Sequence, residues 1–142
     1  MAGYSNKSLK EKLGIKDGDL LVANPHRSYA KLVGDLDPNQ IIEVLDIKSL
    51  KSIISNRKFN FIHAFFKTSS EFKEHYFVLK NALEKNGMLW VSWPKKSSEI
   101  KSDLNENIIR DFALENGLVD VKVCAIDEDW SGLKLVFRLQ DR

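Results

Sequence analysis

The run Leu89-Trp-Val-Ser-Trp-Pro94 constrains this chain more than any other segment: it is almost wholly apolar, entered through Gly87 and Met88 and shut by Pro94, Lys95 and Lys96. A short stretch that is apolar on both faces reads as a central strand of a parallel sheet, because helices cover such strands from both sides. Its carboxyl end opens onto charge. In open α/β sheets ligands sit at that edge, so the run says where a site belongs without naming a reaction.

The segments on either side repeat one rhythm. Ser8 with Glu11 forms a capping box for a short helix carrying Leu9 and Leu13 and ended by Gly14. Residues 19–24 read as a buried strand, with Asn24 as N-cap and Pro25 as first position of a second helix that Gly34 closes. A strand over 41–45 leads to a helix capped by Asp46 that buries Ile47, Leu50, Ile53 and Ile54. Residues 59–66 are aromatic and apolar on both faces, as a central strand should be. Thr68 with Glu71 starts the strongest helix, burying Phe72, Tyr76, Leu79 and Leu83 before Gly87. Asp103 and Glu106 start another, with Leu104, Ile108 and Phe112, ended by Gly117. Alternation of this kind implies parallel strands joined by right-handed crossovers. The tail changes period. Val119, Val121, Val123 and Ala125, then Leu133, Leu135, Phe137 and Leu139, alternate around a short turn and read as an antiparallel hairpin. The expected architecture is a single α/β domain over residues 1–142, Rossmann-like and three-layered, its mostly parallel sheet closed by a C-terminal antiparallel hairpin.

Composition narrows the function classes. At 142 residues and 43% hydrophobic, the chain buries one core and has no room for a second domain. Twenty-two basic against 20 acidic residues leave a net charge of +2, so no global field points to nucleic acid or an anionic membrane. Lys48, Lys51, Arg57 and Lys58 cluster, but that charge is too small for a phosphate-driven binder without a focused stripe. Cys124 is the lone cysteine, a small core residue that excludes a disulfide within the monomer. No apolar stretch approaches the ~20 residues that span a bilayer. The opening residues 1–8 lack an apolar signal core, so the expected location is the cytoplasm. His26, His63 and His75 stand at no metal-ligand spacing with Cys124 or one another, so no metal site is expected. His63, inside an aromatic strand, reads as a hydrogen-bonded core histidine, and His75 covers its helix's buried stripe. There is no glycine-flanked serine elbow and no phosphate-binding loop, which sets aside conventional hydrolases and nucleotide triphosphatases.

The passage Leu83-Glu-Lys-Asn-Gly-Met-Leu-Trp-Val91 into one strand, the strand at 59–66 before it, and the closing hairpin resemble the Rossmann-like fold of S-adenosylmethionine-dependent methyltransferases, one strand and one helix short. The whole chain also resembles a small bacterial family known as a domain of unknown function. Gly3-Tyr4-Ser5, Leu89-Trp-Val-Ser-Trp-Pro-Lys-Lys96 and the block from Gly117 to Leu133 carry that resemblance, which implies no reaction. Methyltransferases of this fold bind their cofactor with a glycine-rich turn after the first strand. Here the turn over 23–28 has no glycine, and Pro25 removes an amide donor. An acidic residue at the end of the second strand usually holds the cofactor ribose. Asp46 has that place, and either holds a ribose or only caps its helix.

The carboxyl edge gathers the candidate ligand-binding residues. Strand one delivers Asn24, His26 and Arg27 to a helix start, strand two delivers Asp46, strand four delivers Trp93, Lys95 and Lys96, and the hairpin turn delivers Asp127, Trp130 and Ser131. On one reading Trp93 and Trp130 stack a flat ligand while Lys95, Lys96 or Arg27 meet its negative groups. On the other the indoles plug the core and the charges are a solvated rim. No catalytic set is recognisable. The expectation is a noncatalytic module, without cofactor, that binds a small anionic ligand or a protein partner. The alternative is a divergent methyltransferase taking S-adenosylmethionine, with Asp46 on the ribose and Trp93 or Trp130 against the adenine. A homodimer through the hairpin or the tryptophans stays open.

Overall fold

A computed structural model describes residues 7–142; Gly3-Tyr4-Ser5 and most of the segment read for a signal lie outside the described residues. Six strands form one sheet in the order β2-β1-β3-β4-β6-β5. They are β1 (Leu20–Ala23), β2 (Ile41–Val44), β3 (Phe59–Phe65), β4 (Leu83–Pro94), β5 (Leu118–Ala125) and β6 (Trp130–Phe137). The four strands β2, β1, β3 and β4 are parallel, while β6 runs antiparallel to both β4 and β5. This is an α/β fold with a mostly parallel sheet and a closing antiparallel hairpin, as the alternation predicts.

Alternation along each strand sends side chains to two cores. On one face Leu21, Ile62, Ala64, Leu89, Val91 and Leu133 pack beneath helices α3 (Leu50–Ile54), α4 (Ser69–Asn81) and α5 (Glu106–Glu115). On the other Leu20, Val22, Phe61, Phe65, Trp90 and Trp130 pack beneath α1 (Leu9–Leu13) and α2 (Tyr29–Val33). Trp90 is fully buried there, and its indole N–H donates to the Leu13 carbonyl at 2.9 Å, tying α1 down.

The local caps read from sequence are present at Ser8, which exchanges bonds with Glu11, and at Thr68, whose hydroxyl accepts from the Glu71 amide at 3.1 Å. Three boundaries differ. The N-cap of α2 is Ser28, not Asn24, and Pro25 lies outside the helix: Asn24 adopts φ 59° and donates its side-chain amide to the Phe65 carbonyl at 2.9 Å, so strand pairing claims it first. α5 is capped by Asn105; Asp103 instead accepts from the Ser69 amide at 2.7 Å, joining the starts of two helices. β4 begins at Leu83 rather than after Gly87. Leu83 pairs with Phe59 and Met88 with Phe61, so residues 84–87 loop out of the ladder. Ile53 is 47% exposed, since a helix of only five residues buries Leu50 and Ile54 alone.

Among the described residues no helix is long and apolar enough to cross a membrane.

Candidate functional site

Two turns meet at the carboxyl edge, the one after β1 and the hairpin between β5 and β6, and His26 stands where they join. Its Nε2 lies 2.8 Å from the Asp127 carboxylate, and its ring stacks on Trp130 at 4.7 Å and 14° while tilting over Phe65. A carboxylate only accepts, so Nε2 carries a proton, and in the neutral imidazole Nδ1 is then the nitrogen that keeps the lone pair; Nδ1 has no partner among the described residues. Asp127 is held in turn by the amides of Asp129 and Trp130, both at 2.9 Å. Burial pushes its carboxyl pKa up, but the bond to His26 and those two amides outweigh it and hold it below the usual range. The side chains are 18% and 21% exposed, so the dyad is oriented by the protein yet open to solvent. An imidazole fixed by a carboxylate in one tautomer is the arrangement of a general base.

Beneath the dyad runs a closed polar chain. The Tyr29 hydroxyl lies 2.7 Å from His63 Nδ1, and His63 Nε2 lies 2.7 Å from the Ser92 hydroxyl. Burial first, and the nearby His26 second, lower the His63 pKa to about 3, so the ring is neutral, as a core histidine should be. Burial also raises Tyr29 well above its ordinary range, with Cys124 adding to the shift. Gly132 leaves room for this chain, since a Cβ there would stand 3.2 Å from the Ser92 hydroxyl. The indole N–H of Trp130 is buried without an acceptor among the described residues, which costs on the order of 1–3 kcal/mol.

The expected pair of ligand-stacking indoles does not form. Pro94 pairs with Trp130 and Trp93 with Ser131, so the tryptophans point to opposite faces of the sheet. Trp93 is buried in the core beneath α3 to α5 and Trp130 in the core beneath α1 and α2, at 7% and 2% exposure. Both plug cores. Lys95 and Lys96 leave β4 beside a cavity of about 460 Å³ that Pro94, Ser98 and Asp103 also line, and that none of Asn24, His26, Asp46, Asp127 and Trp130 reaches. Ser131 is half-buried on β6, and Arg27 is exposed in the β1 turn. Asp46 stands alone at the end of β2, four strand spacings or about 19 Å from β6.

The ends of β1 and β2 show what they can hold. Asp46 caps the following turn through the Lys48 amide at 3.1 Å by Oδ1, and its second oxygen has no partner among the described residues. Leu45 beside it is 72% exposed, an apolar face at the mouth of the strand. Asn24, at φ 59°, gives the β1 turn the left-handed bend that glycine usually supplies. The amides of His26 and Arg27 have no acceptor among the described residues. Against these, Glu43 already occupies the Tyr29 amide at 3.1 Å, so the start of α2 is partly neutralised. The second Asp46 oxygen could accept from a sugar hydroxyl, Leu45 could meet an apolar ring, and the amides of His26 and Arg27 could receive a small anion.

No family model matches the chain, and no curated protein sequence matches it. Solved structures do. A ribosomal protein L11 methylase from Lactobacillus delbrueckii subsp. bulgaricus superposes with a TM-score of 0.61 at 14% identity, covering 90% of this chain and 74% of that one. The Methanococcus jannaschii fibrillarin pre-rRNA processing protein gives 0.58 at 12% identity, over 84% of this chain and 66% of that one, so the chain spans just under two thirds of that protein. A glycopeptide N-methyltransferase complexed with sinefungin gives 0.54 at 10% identity, over 91% and 83%. The fold is therefore that of the methyltransferases. The expectation of a protein without cofactor is corrected here: matching structures include complexes with S-adenosylhomocysteine, sinefungin and S-adenosylmethionine, so this fold is one that holds an adenosyl cofactor.

The dyad is what sequence reading missed. His26 and Asp127 were each visible as edge residues, but nothing local signals a contact across 101 positions.

Proposed function

We propose that the chain is a divergent S-adenosylmethionine-dependent methyltransferase, with His26 as its proton acceptor. The observation that carries the reading is the His26–Asp127 pair at 2.8 Å on a fold of this class. Asp46 would hold the ribose hydroxyls and Leu45 the apolar face of the base, while Asn24 shapes the turn whose amides, with Arg27, receive the carboxylate. When bound, the cofactor supplies an activated methyl group. The residues of this chain do the rest. Asp127 keeps the His26 imidazole in the Nε2–H tautomer, Trp130 and Phe65 fix its plane, and Nδ1 takes the proton from an acceptor O–H or N–H. Neutral His63, tied to Tyr29 and Ser92, keeps a second positive charge from forming below.

A second reading, a noncatalytic module for a small anionic ligand, is supported by the cavity beside Lys95 and Lys96. Calorimetry separates the two. We expect S-adenosylmethionine to bind wild type, Asp46→Ala to weaken it roughly tenfold, as loss of hydrogen bonds from a charged group implies, and His26→Ala to leave binding within about twofold. Absence of heat at millimolar cofactor rules the methyltransferase reading out. Cofactor affinity that Lys95→Glu removes and Asp46→Ala leaves intact moves the site to the second reading.

A further inference from the structure

The opposite, amino edge of the sheet carries two adjoining cavities of about 470 and 420 Å³ that share Lys58 and Asn81. Lys51, Arg57 and Lys58 line the first with no carboxylate; Lys80 and Lys85 join Lys58 in the second, where Asp141 is the one acid. Five cations to one acid, in a chain that balances 22 against 20, is the focused stripe that sequence clustering alone left open. Arg57 is tied to Asp19 at 2.6 Å, but the four lysines form no salt bridge among the described residues.

The stripe is built by the fold. Residues 84–87 loop out of β4 and carry Lys85 to the rim; Gly87 permits this, since a Cβ there would lie 2.9 Å from the Asn60 carbonyl oxygen. The Lys80 ammonium lies against Gly117, in space that a side chain would fill. Phe77, 47% exposed, offers an open ring at the first cavity, and the amides of Asn56 and Asn81 stand beside it.

We propose that this edge binds single-stranded nucleic acid. Spaced lysines suit a phosphate backbone, an exposed ring suits a base, and neutral amides can read base edges. An acidic peptide would use the charges but neither the ring nor the amides. The seven residues of β3 put roughly 23 Å between the two edges. The surface thus holds a strand away from the His26 dyad, and the inference rests on nothing at the carboxyl edge.

Fluorescence anisotropy with labelled oligouridine tests it. Affinity should fall with salt, with a log–log slope of about −3 if four phosphates are neutralised. Lys58→Glu with Lys80→Glu should weaken binding at least about tenfold and flatten the slope by about 1.4, with an unchanged thermal unfolding curve. Phe77→Ala should weaken it at unchanged slope, and Lys31→Glu on α2 should do nothing. Binding by the double variant equal to wild type overturns the assignment. So does displacement by polyglutamate at equal charge, which would give the surface to acidic proteins. Should the double variant unfold, Lys85→Glu on the exposed loop carries the same expectation at about half the slope change.

Discussion

His63 is neutral in the folded protein down to about pH 3 and would be charged below 6.5 once unfolded. The unfolded state therefore binds the extra proton between those values, and stability falls as pH falls through that window. The contribution is fully present above about 6.5 and progressively lost toward about 3, a matter of several kcal/mol. Melting temperature should drop steadily from neutral pH into acid. His63→Gln, which keeps a donor and an acceptor for Tyr29 and Ser92, should flatten that decline; parallel curves for both proteins would refute the role. Asp127 adds a smaller loss at lower pH, since its lowered pKa makes its bonds to His26 and two amides fail only on protonation. Asp127→Asn should leave the fold intact but release the tautomer of His26. Methyl transfer should then fall by at least about tenfold at unchanged cofactor affinity, and equal turnover would remove His26 from the chemistry. Of these residues, His63 was legible because it lies in an apolar run with Phe59, Phe61, Phe65 and Phe66. The dyad was not, because it depends on how two distant turns meet.

At the scale of elements, what is local was readable and what depends on register was not. Ser8 and Thr68 cap their helices through residues three positions away, so the sequence carries the whole interaction. Trp93 and Trp130 looked like partners because each ends or begins a strand at one edge. Their separation to opposite faces follows from the β4–β6 register, which no local pattern encodes. The start of β4 was misplaced for a similar reason: Leu83 continues the apolar stripe of α4 by spacing, yet its pairing with Phe59 draws it into the sheet. The loop that results is tight. Gly87→Ala would press a methyl 2.9 Å from the Asn60 carbonyl oxygen and from Leu83 Cδ1, so we expect a loss of about 1–3 kcal/mol. Denaturant titration should show a lower midpoint at unchanged slope, and an unaltered midpoint would mean that the loop opens freely.

For the whole molecule, the sheet separates two kinds of surface. Its carboxyl edge has the His26–Asp127 pair, the exposed Leu45 and, apart from them, Asp46; its amino edge has lysines around two cavities. The fold class was legible because alternation of strands and helices fixes parallel topology, whereas the cationic edge was hidden by a near-zero sum of charges. The central claim is that an adenosyl group sits at the ends of β1 and β2. Amide chemical shifts of the labelled protein, followed during titration with S-adenosylhomocysteine, test it most directly. Shifts centred on residues 24–28 and 45–46, needing about tenfold more ligand in Asp46→Ala, are the predicted result. Shifts confined to residues 95–105, or to the amino edge, would contradict it.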